Sequence, residues 1–131
     1  MTTTAWMPSD LRLLGNIAYL ATKMRWQDEG EALYGALAPV VQSQADLYFA
    51  WLAARCEFGD IEGACALMDR LERLPGAPAD LLLMARCYLQ CCCNAPEWVD
   101  TARRVVRGGP EHFGYDTARA MLDEHDRRCT R

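Results

Sequence analysis

Apolar residues recur at three- and four-residue spacing along nearly the whole chain, and no strict apolar/polar alternation lasts more than a few residues, so the pattern predicts helices throughout. The first covers "PSDLRLLGNIAYLATKMRW", where Pro8, Ser9 and Asp10 offer an N-cap and Leu11, Leu14, Ala18 and Ala21 trace one stripe. A second, "DEGEALYGALAPVV", ends near Pro39. A third, "SQADLYFAWLAARCEF", is stopped by Gly59 and Asp60, and a fourth, "IEGACALMDRLERL", by the "PGAP" that follows. The fifth is "ADLLLMARCYLQCCC"; Pro96 then opens a sixth, "PEWVDTARRVV", closed by Gly108, Gly109 and Pro110. A seventh is expected from residue 115 to about residue 126, with residues 1–8 and 127–131 frayed.

Self-similarity separates a bundle from stacked helix pairs, and it is present. "ATKMRWQDEGEAL" from Ala21 lies over "AARCEFGDIEGAC" from Ala53 at a shift of 32 residues, pairing Lys23 with Arg55, Trp26 with Phe58, Asp28 with Asp60 and Ala32 with Ala64. "MARCYL" from Met84 lies over "AARCEF" at a shift of 31, pairing Arg86 with Arg55 and Cys87 with Cys56. Ala102 follows Ala64 by 38 residues, so the third unit carries an insertion.

With 131 residues, 51% hydrophobic and 24% charged, the chain has the size and apolar content of one helical domain spanning residues 1–131. A net charge of −4 and a pI near 5.1 argue against a nucleic-acid surface, which needs clustered Lys and Arg. The longest strongly apolar run, "LYFAWLAA", falls far short of a membrane span, and "MTTTAWMPSD" does not read as a signal peptide. Neither nucleic acid nor membrane insertion is expected.

Candidate chemistry adds little. Seven cysteines, an odd count in no disulfide spacing, fit a reducing cytosol. Cys87 and Cys91 share a helical face, but Cys92 and Cys93 point about 100° and 200° further round, so the four do not converge on a tetrahedral zinc ion. His112 and His125 are the only histidines that could be recruited. Packing as small core hydrophobes is the reading for these cysteines. The glycines of "GALAP", "EGACA" and "RGGP" form no phosphate loop. The acidic groups Asp28, Glu29, Glu31 and Asp123, Glu124, Asp126 read as solvated surface, the former suited to a helix N-terminus. No catalytic residue, metal or cofactor is expected, and the chain reads as no enzyme.

The repeated features, with Gly59-Asp60 at a turn and Ala32, Ala64 and Ala102 at small positions, resemble the tetratricopeptide (TPR) repeat: all-α, antiparallel helix pairs, about three repeats in seven helices with a C-terminal capping helix. The order "DLYFAWLAARCEFGDIEGACALMDRLE", a Pro/Gly break, "ARCYLQ", then "PEWVDTARRVVRGG", over residues 11–109, is similar to the small TPR-like accessory proteins of bacterial type III secretion systems. The resemblance is to the Hrp-type family and more distantly to the YscG-type needle-subunit chaperones.

That resemblance implies a concave groove on the first helix of each pair, formed by Ile17, Ala21 and Met24, then Phe49, Ala53 and Cys56, then Met84 and Cys87. An apolar groove of this kind suits the stripe of an amphipathic helix. The implied function is that of a cytoplasmic chaperone holding a secreted or needle-type subunit, with or without a second small co-chaperone. Two alternatives stand beside it. One is a structural accessory protein that forms a homo-oligomer or is exported to the periplasm; the other is an unrelated adaptor or metal-responsive module using the Cys cluster. The seventh helix, through Ala118, Met121 and Leu122, could also fill the groove.

Overall fold

The computed structural model describes residues 18, 20–39 and 44–130. Ala18 and residues 20–23 are helical. Six helices follow: α1 (Gln27–Leu37), α2 (Gln44–Glu57), α3 (Ile61–Arg73), α4 (Ala79–Cys92), α5 (Trp98–Arg107) and α6 (Tyr115–Cys129). No strand occurs among the described residues, and no helix there is long and apolar enough to cross a membrane. The N-cap of the first predicted helix, with Leu11, Leu14 and Ile17, lies outside the described residues. Two boundaries move. The helix expected to open at Pro96 begins at Trp98 after a turn, and the last helix continues to Cys129.

Helix α3 shows how the sequence sets an element. The Asp60 carboxylate accepts the Gly63 N–H at 2.9 Å, capping the first turn, while Glu62 near the start and Arg70 and Arg73 near the end complement the helix dipole. Ala64, Leu67, Met68 and Leu71 form the buried stripe. A side chain at Gly63 would collide with the Asp60 carboxylate, so the cap depends on glycine there.

The same turn ends three helical segments. Arg25, Gly59 and Asn94 adopt left-handed backbone with φ of 64°, 78° and 57°. Each donates its N–H to the carbonyl three residues back, and the next residue donates five back: Trp26 to Ala21 at 2.8 Å, Asp60 to Arg55 at 2.8 Å and Ala95 to Gln90 at 2.9 Å. This is the Schellman arrangement. The turns are spaced by 34 and then 35 residues, not the 32 and 31 that sequence matching gave. In this register Ala18, Leu52 and Cys87 are equivalent, and each is 0% exposed. Gly30, Tyr34 and Leu37 of α1 likewise correspond to Ala64, Met68 and Leu71 of α3, all buried. Ala32, matched to Ala64 by sequence, is exposed instead; Gly30 is the small residue packed on Ala21.

Helices α2 and α4 pack against each other, α3 packs on both, α5 on α4, α6 on α5, and α1 on α2. One apolar cluster centres on Leu52, Leu67, Leu71 and Leu81; a second joins Met84, Cys87, Ala102, Val105 and Ala118. Phe49 and Phe113 pack against both clusters and meet edge to face at 5.0 Å.

A polar clamp holds α1. Glu31 Oε2 accepts from Trp51 Nε1 at 2.7 Å and from Arg55 Nε at 3.2 Å, and its Oε1 accepts from the same guanidinium at 2.9 Å. Arg55 also donates to the Gly63 carbonyl at 2.9 Å and lies over the Trp51 ring, 4.6 Å from its centroid. Glu31 is therefore half-buried and bidentately paired, not part of the solvated acidic group expected from sequence.

The clamp, a surface ion pair and the left-handed Arg25 each give a stability prediction. Glu31→Ala should lower the unfolding free energy by about 2 kcal/mol, because it strands a half-buried guanidinium and the indole N–H. Asp100→Ala, which removes a pair with Arg103 that is exposed on both sides, should cost less than about 0.5 kcal/mol. Arg25→Gly should stabilise by roughly 1 kcal/mol by relieving a left-handed arginine. Urea unfolding of the three variants checks all of these magnitudes.

Candidate functional site

Helices α2 and α4 pack side by side, and together with Lys23 and the loop before α6 they bound one trough. Its larger part, about 450 Å³, has a floor of Phe49, Ala53, Met84 and Phe113, with Tyr88 on the wall. A smaller hollow of about 190 Å³ continues it toward Thr22 and Tyr34 and shares Phe49, Ala53 and Glu57. Phe49, Ala53 and Glu57 are successive one-turn steps on α2, as Met84 and Tyr88 are on α4. The 35-residue register pairs Phe49 with Met84 and Ala53 with Tyr88, which is why the two rows meet.

The far end is built by the return loop, residues 108–114. Asp80, at the start of α4, accepts the Phe113 N–H at 3.1 Å, and this anchors the loop so that the Phe113 ring meets Phe49. Gly114 has φ of 82° and backs directly onto Met84, where a Cβ would collide with the Met84 side chain. At the near end Lys23 Nζ contacts Glu57 Oε1 at 3.0 Å. Along the wall, burial first, then Cys92 and Glu57 nearby, push the Tyr88 hydroxyl well above its ordinary pKa, so it stays neutral.

The residues expected on the groove divide. Phe49, Ala53 and Met84 line the trough together. Ala21 is buried, and Met24 is 59% exposed without lining the trough. Cys56 is buried in the first cluster and Cys87 in the second, where its thiol reaches the Trp98 carbonyl at 3.8 Å. Burial, with a smaller contribution from Cys91, raises the Cys87 thiol to about 11, which keeps it protonated and unreactive near neutrality. Ile17 lies outside the described residues. Sequence reasoning missed Lys23, Glu57, Tyr88, Phe113, Gly114 and Thr117. Tyr88 and Glu57 were within reach, as the next turn of the same stripes, whereas nothing in the sequence announces that the "EHFG" loop folds back.

Helix α6 does not occupy the trough. Ala118 is 0% exposed against Met84, Cys87, Ala102 and Val105, with Met121 and Leu122 on the same cluster, and only Gly114 and Thr117 reach the trough. Among the described residues no group of three or more His, Cys, Asp or Glu side chains is placed to hold a metal ion. His112 Nδ1 lies 2.8 Å from the Phe113 carbonyl, and His125 packs edge-on to Trp98 at 5.3 Å. No family model, curated protein or solved structure matches the chain.

Gly114→Ala should destabilise the protein by about 2 kcal/mol, since it combines a left-handed alanine with overpacking on Met84. Gly76→Ala, also left-handed at φ of 76° but with open space around it, should cost only about half as much. Thermal or urea unfolding of the pair separates the packing contribution from the backbone one.

Proposed function

We propose that this chain is a non-catalytic, TPR-like protein of a bacterial type III secretion apparatus, acting as a cytoplasmic chaperone that holds an amphipathic helix of a secreted or needle-type subunit. The observation that carries the reading is the trough itself. Its floor is apolar, and its walls come from first helices related by 34- and 35-residue steps, the length expected of such repeats. An apolar stripe at i, i+4 spacing on a guest would meet the rows Phe49–Ala53 and Met84–Tyr88, which have that spacing themselves. The sequence order from "DLYFAWLAARCEF" to "PEWVDTARRVVRGG" supports assignment to that secretion family.

The driving force is burial, worth roughly 25 cal/mol per Å² of apolar surface before the cost of ordering the partner is subtracted. A guest must therefore cover most of the trough to be held. Leu20, Met24 and Trp26, each more than half exposed, favour a second reading in which the protein is an accessory component that self-associates.

The experiment is co-purification from the native bacterium, with bound chains identified by mass spectrometry and then reconstituted. Ala53→Arg, which places a charge on the floor, should reduce affinity for the captured helical subunit at least tenfold while leaving helicity and unfolding midpoint near wild type. Phe49→Asp should also abolish capture, but because Phe49 bridges both core clusters its effect on folding must be measured alongside. Capture of only this chain, with oligomers lost on Met24→Asp, would replace the chaperone reading by the self-association reading.

A further inference from the structure

A further hollow, about 410 Å³, opens beyond the trough. Helix α4 gives Met84 and Tyr88 to the trough and Cys91 to this hollow. Helix α6 gives Gly114 and Thr117 to the trough, then Ala120, Met121, Glu124 and Arg128 to the hollow. The steps from Tyr88 to Cys91, and from Thr117 to Ala120 and Met121, are three or four residues, so each helix carries one face through both sites. The two therefore follow a single seam, along which α6 rises roughly 16 Å between Thr117 and Arg128.

The hollow has an apolar side and a charged rim. Met121 and the Trp98 indole, both half-buried, form the apolar side; His125 meets Trp98 edge-on at 5.3 Å, and Ala120 is small and exposed beside them. On the rim the Glu124 carboxylate accepts from two guanidiniums, Arg127 at 2.8 Å and Arg128 at 3.1 Å. One carboxylate against two guanidiniums leaves a positive charge in excess, on side chains that are 71% and 77% exposed. Asp123 and Asp126 do not line the hollow and lie about 100° or more round the helix from Glu124.

We propose that this seam extends the guest-binding surface. Its occupant is an amphipathic helix whose apolar stripe runs on from the trough, over Ala120 and Met121, and ends at a carboxylate that meets Arg128. The extension rests on the trough receiving the guest's apolar stripe. Spacing of three and four residues on α4 and α6 matches that of a stripe on a helical guest. The excess guanidinium charge selects an acidic flank over a basic one, because opposite charges across a rim favour encounter and like charges suppress the wrong partner. A guest carboxylate taken by Arg128 leaves Arg127 on Glu124, so both carboxylates stay paired.

The test is fluorescence-anisotropy titration of the full chain with two labelled synthetic peptides of about 20 residues, long enough to span both hollows as a helix. Both carry the same Leu stripe at i, i+4 spacing on an Ala/Gln background; one is flanked at both ends by Glu, the other by Lys. The Glu-flanked peptide should bind about fivefold more tightly at low salt, and Arg128→Glu should reverse the order. Ala120→Gln, which fills the hollow without charge at an exposed helix position, should weaken the Glu-flanked peptide about fivefold with the unfolding midpoint unchanged. Ala53→Arg should weaken it as well. Weakening by Ala53→Arg but not by Ala120→Gln overturns the extension and leaves the trough reading standing. Weakening by Ala120→Gln alone removes the trough from the guest's path and overturns the continuous track. Equal binding of the two peptides overturns the acidic flank. Binding of neither overturns the track, and the trough reading is then decided separately by the captured native subunit.

Discussion

The Glu31 carboxylate is the point on which the arrangement of the first three helices depends. Helix α1 buries only Gly30, Tyr34 and Leu37, too little apolar surface to fix an eleven-residue helix by burial alone. Its orientation is set instead by one carboxylate that accepts from both the Trp51 indole and the Arg55 guanidinium. These donors cannot be left unpaired at low cost, because Trp51 is 8% exposed and the Arg55 side chain 19%. Arg55 is also the residue that reaches across to the Gly63 carbonyl, one turn into the helix capped by Asp60. Docking of α1 and closure of the α2–α3 turn therefore share a guanidinium and should be gained or lost together.

From that fixed pair the rest propagates through turn geometry. A Schellman turn ends one helix and aims the next along a defined path. When it recurs at Arg25, Gly59 and Asn94 the first helices are laid alongside one another in near-constant register. Constant register puts like positions together: Ala18, Leu52 and Cys87 in the core, and Phe49 beside the buried Met84 beneath the trough. The trough is thus a by-product of the spacing. Its depth comes from a local choice of small or slim residues, Ala53 above all, and its far limit from Phe113, which Asp80 holds in place.

The helices were legible in the sequence because apolar period and Gly/Pro punctuation agree, as at Gly59-Asp60 and "PGAP". The repeat register was not, and the reason lies in two identical dipeptides. Arg55-Cys56 and Arg86-Cys87 drew the alignment to a shift of 31, yet they do different work: Arg55 is clamped to Glu31, whereas Arg86 sits on the surface 3.7 Å from Glu72. An error of four residues, 31 against 35, is close to one helical turn and preserves the face, so Phe49, Ala53 and Met84 still come together. An error of two, 32 against 34, rotates the face by about 200°. That rotation sends Ala21 into the core and leaves Ala32 exposed. Glu31 was misread for a related cause: its position near a helix start explains an acidic residue, while its two donors lie 20 and 24 residues away.

The charges around the trough bear on what it can select. Among the described residues that line the trough, Lys23 and Glu57 pair with each other at the near end and Tyr88 is neutral, so no uncompensated charge faces the floor from them. A terminal carboxylate or a phosphate would enter without a dedicated counter-charge and would lose more hydration than it recovers. An apolar stripe loses little by the same transfer and gains from contact with Phe49, Ala53 and Phe113. Discrimination between guests would then rest on the shape of the floor and on whether a polar rim residue can meet the Lys23–Glu57 pair without breaking it.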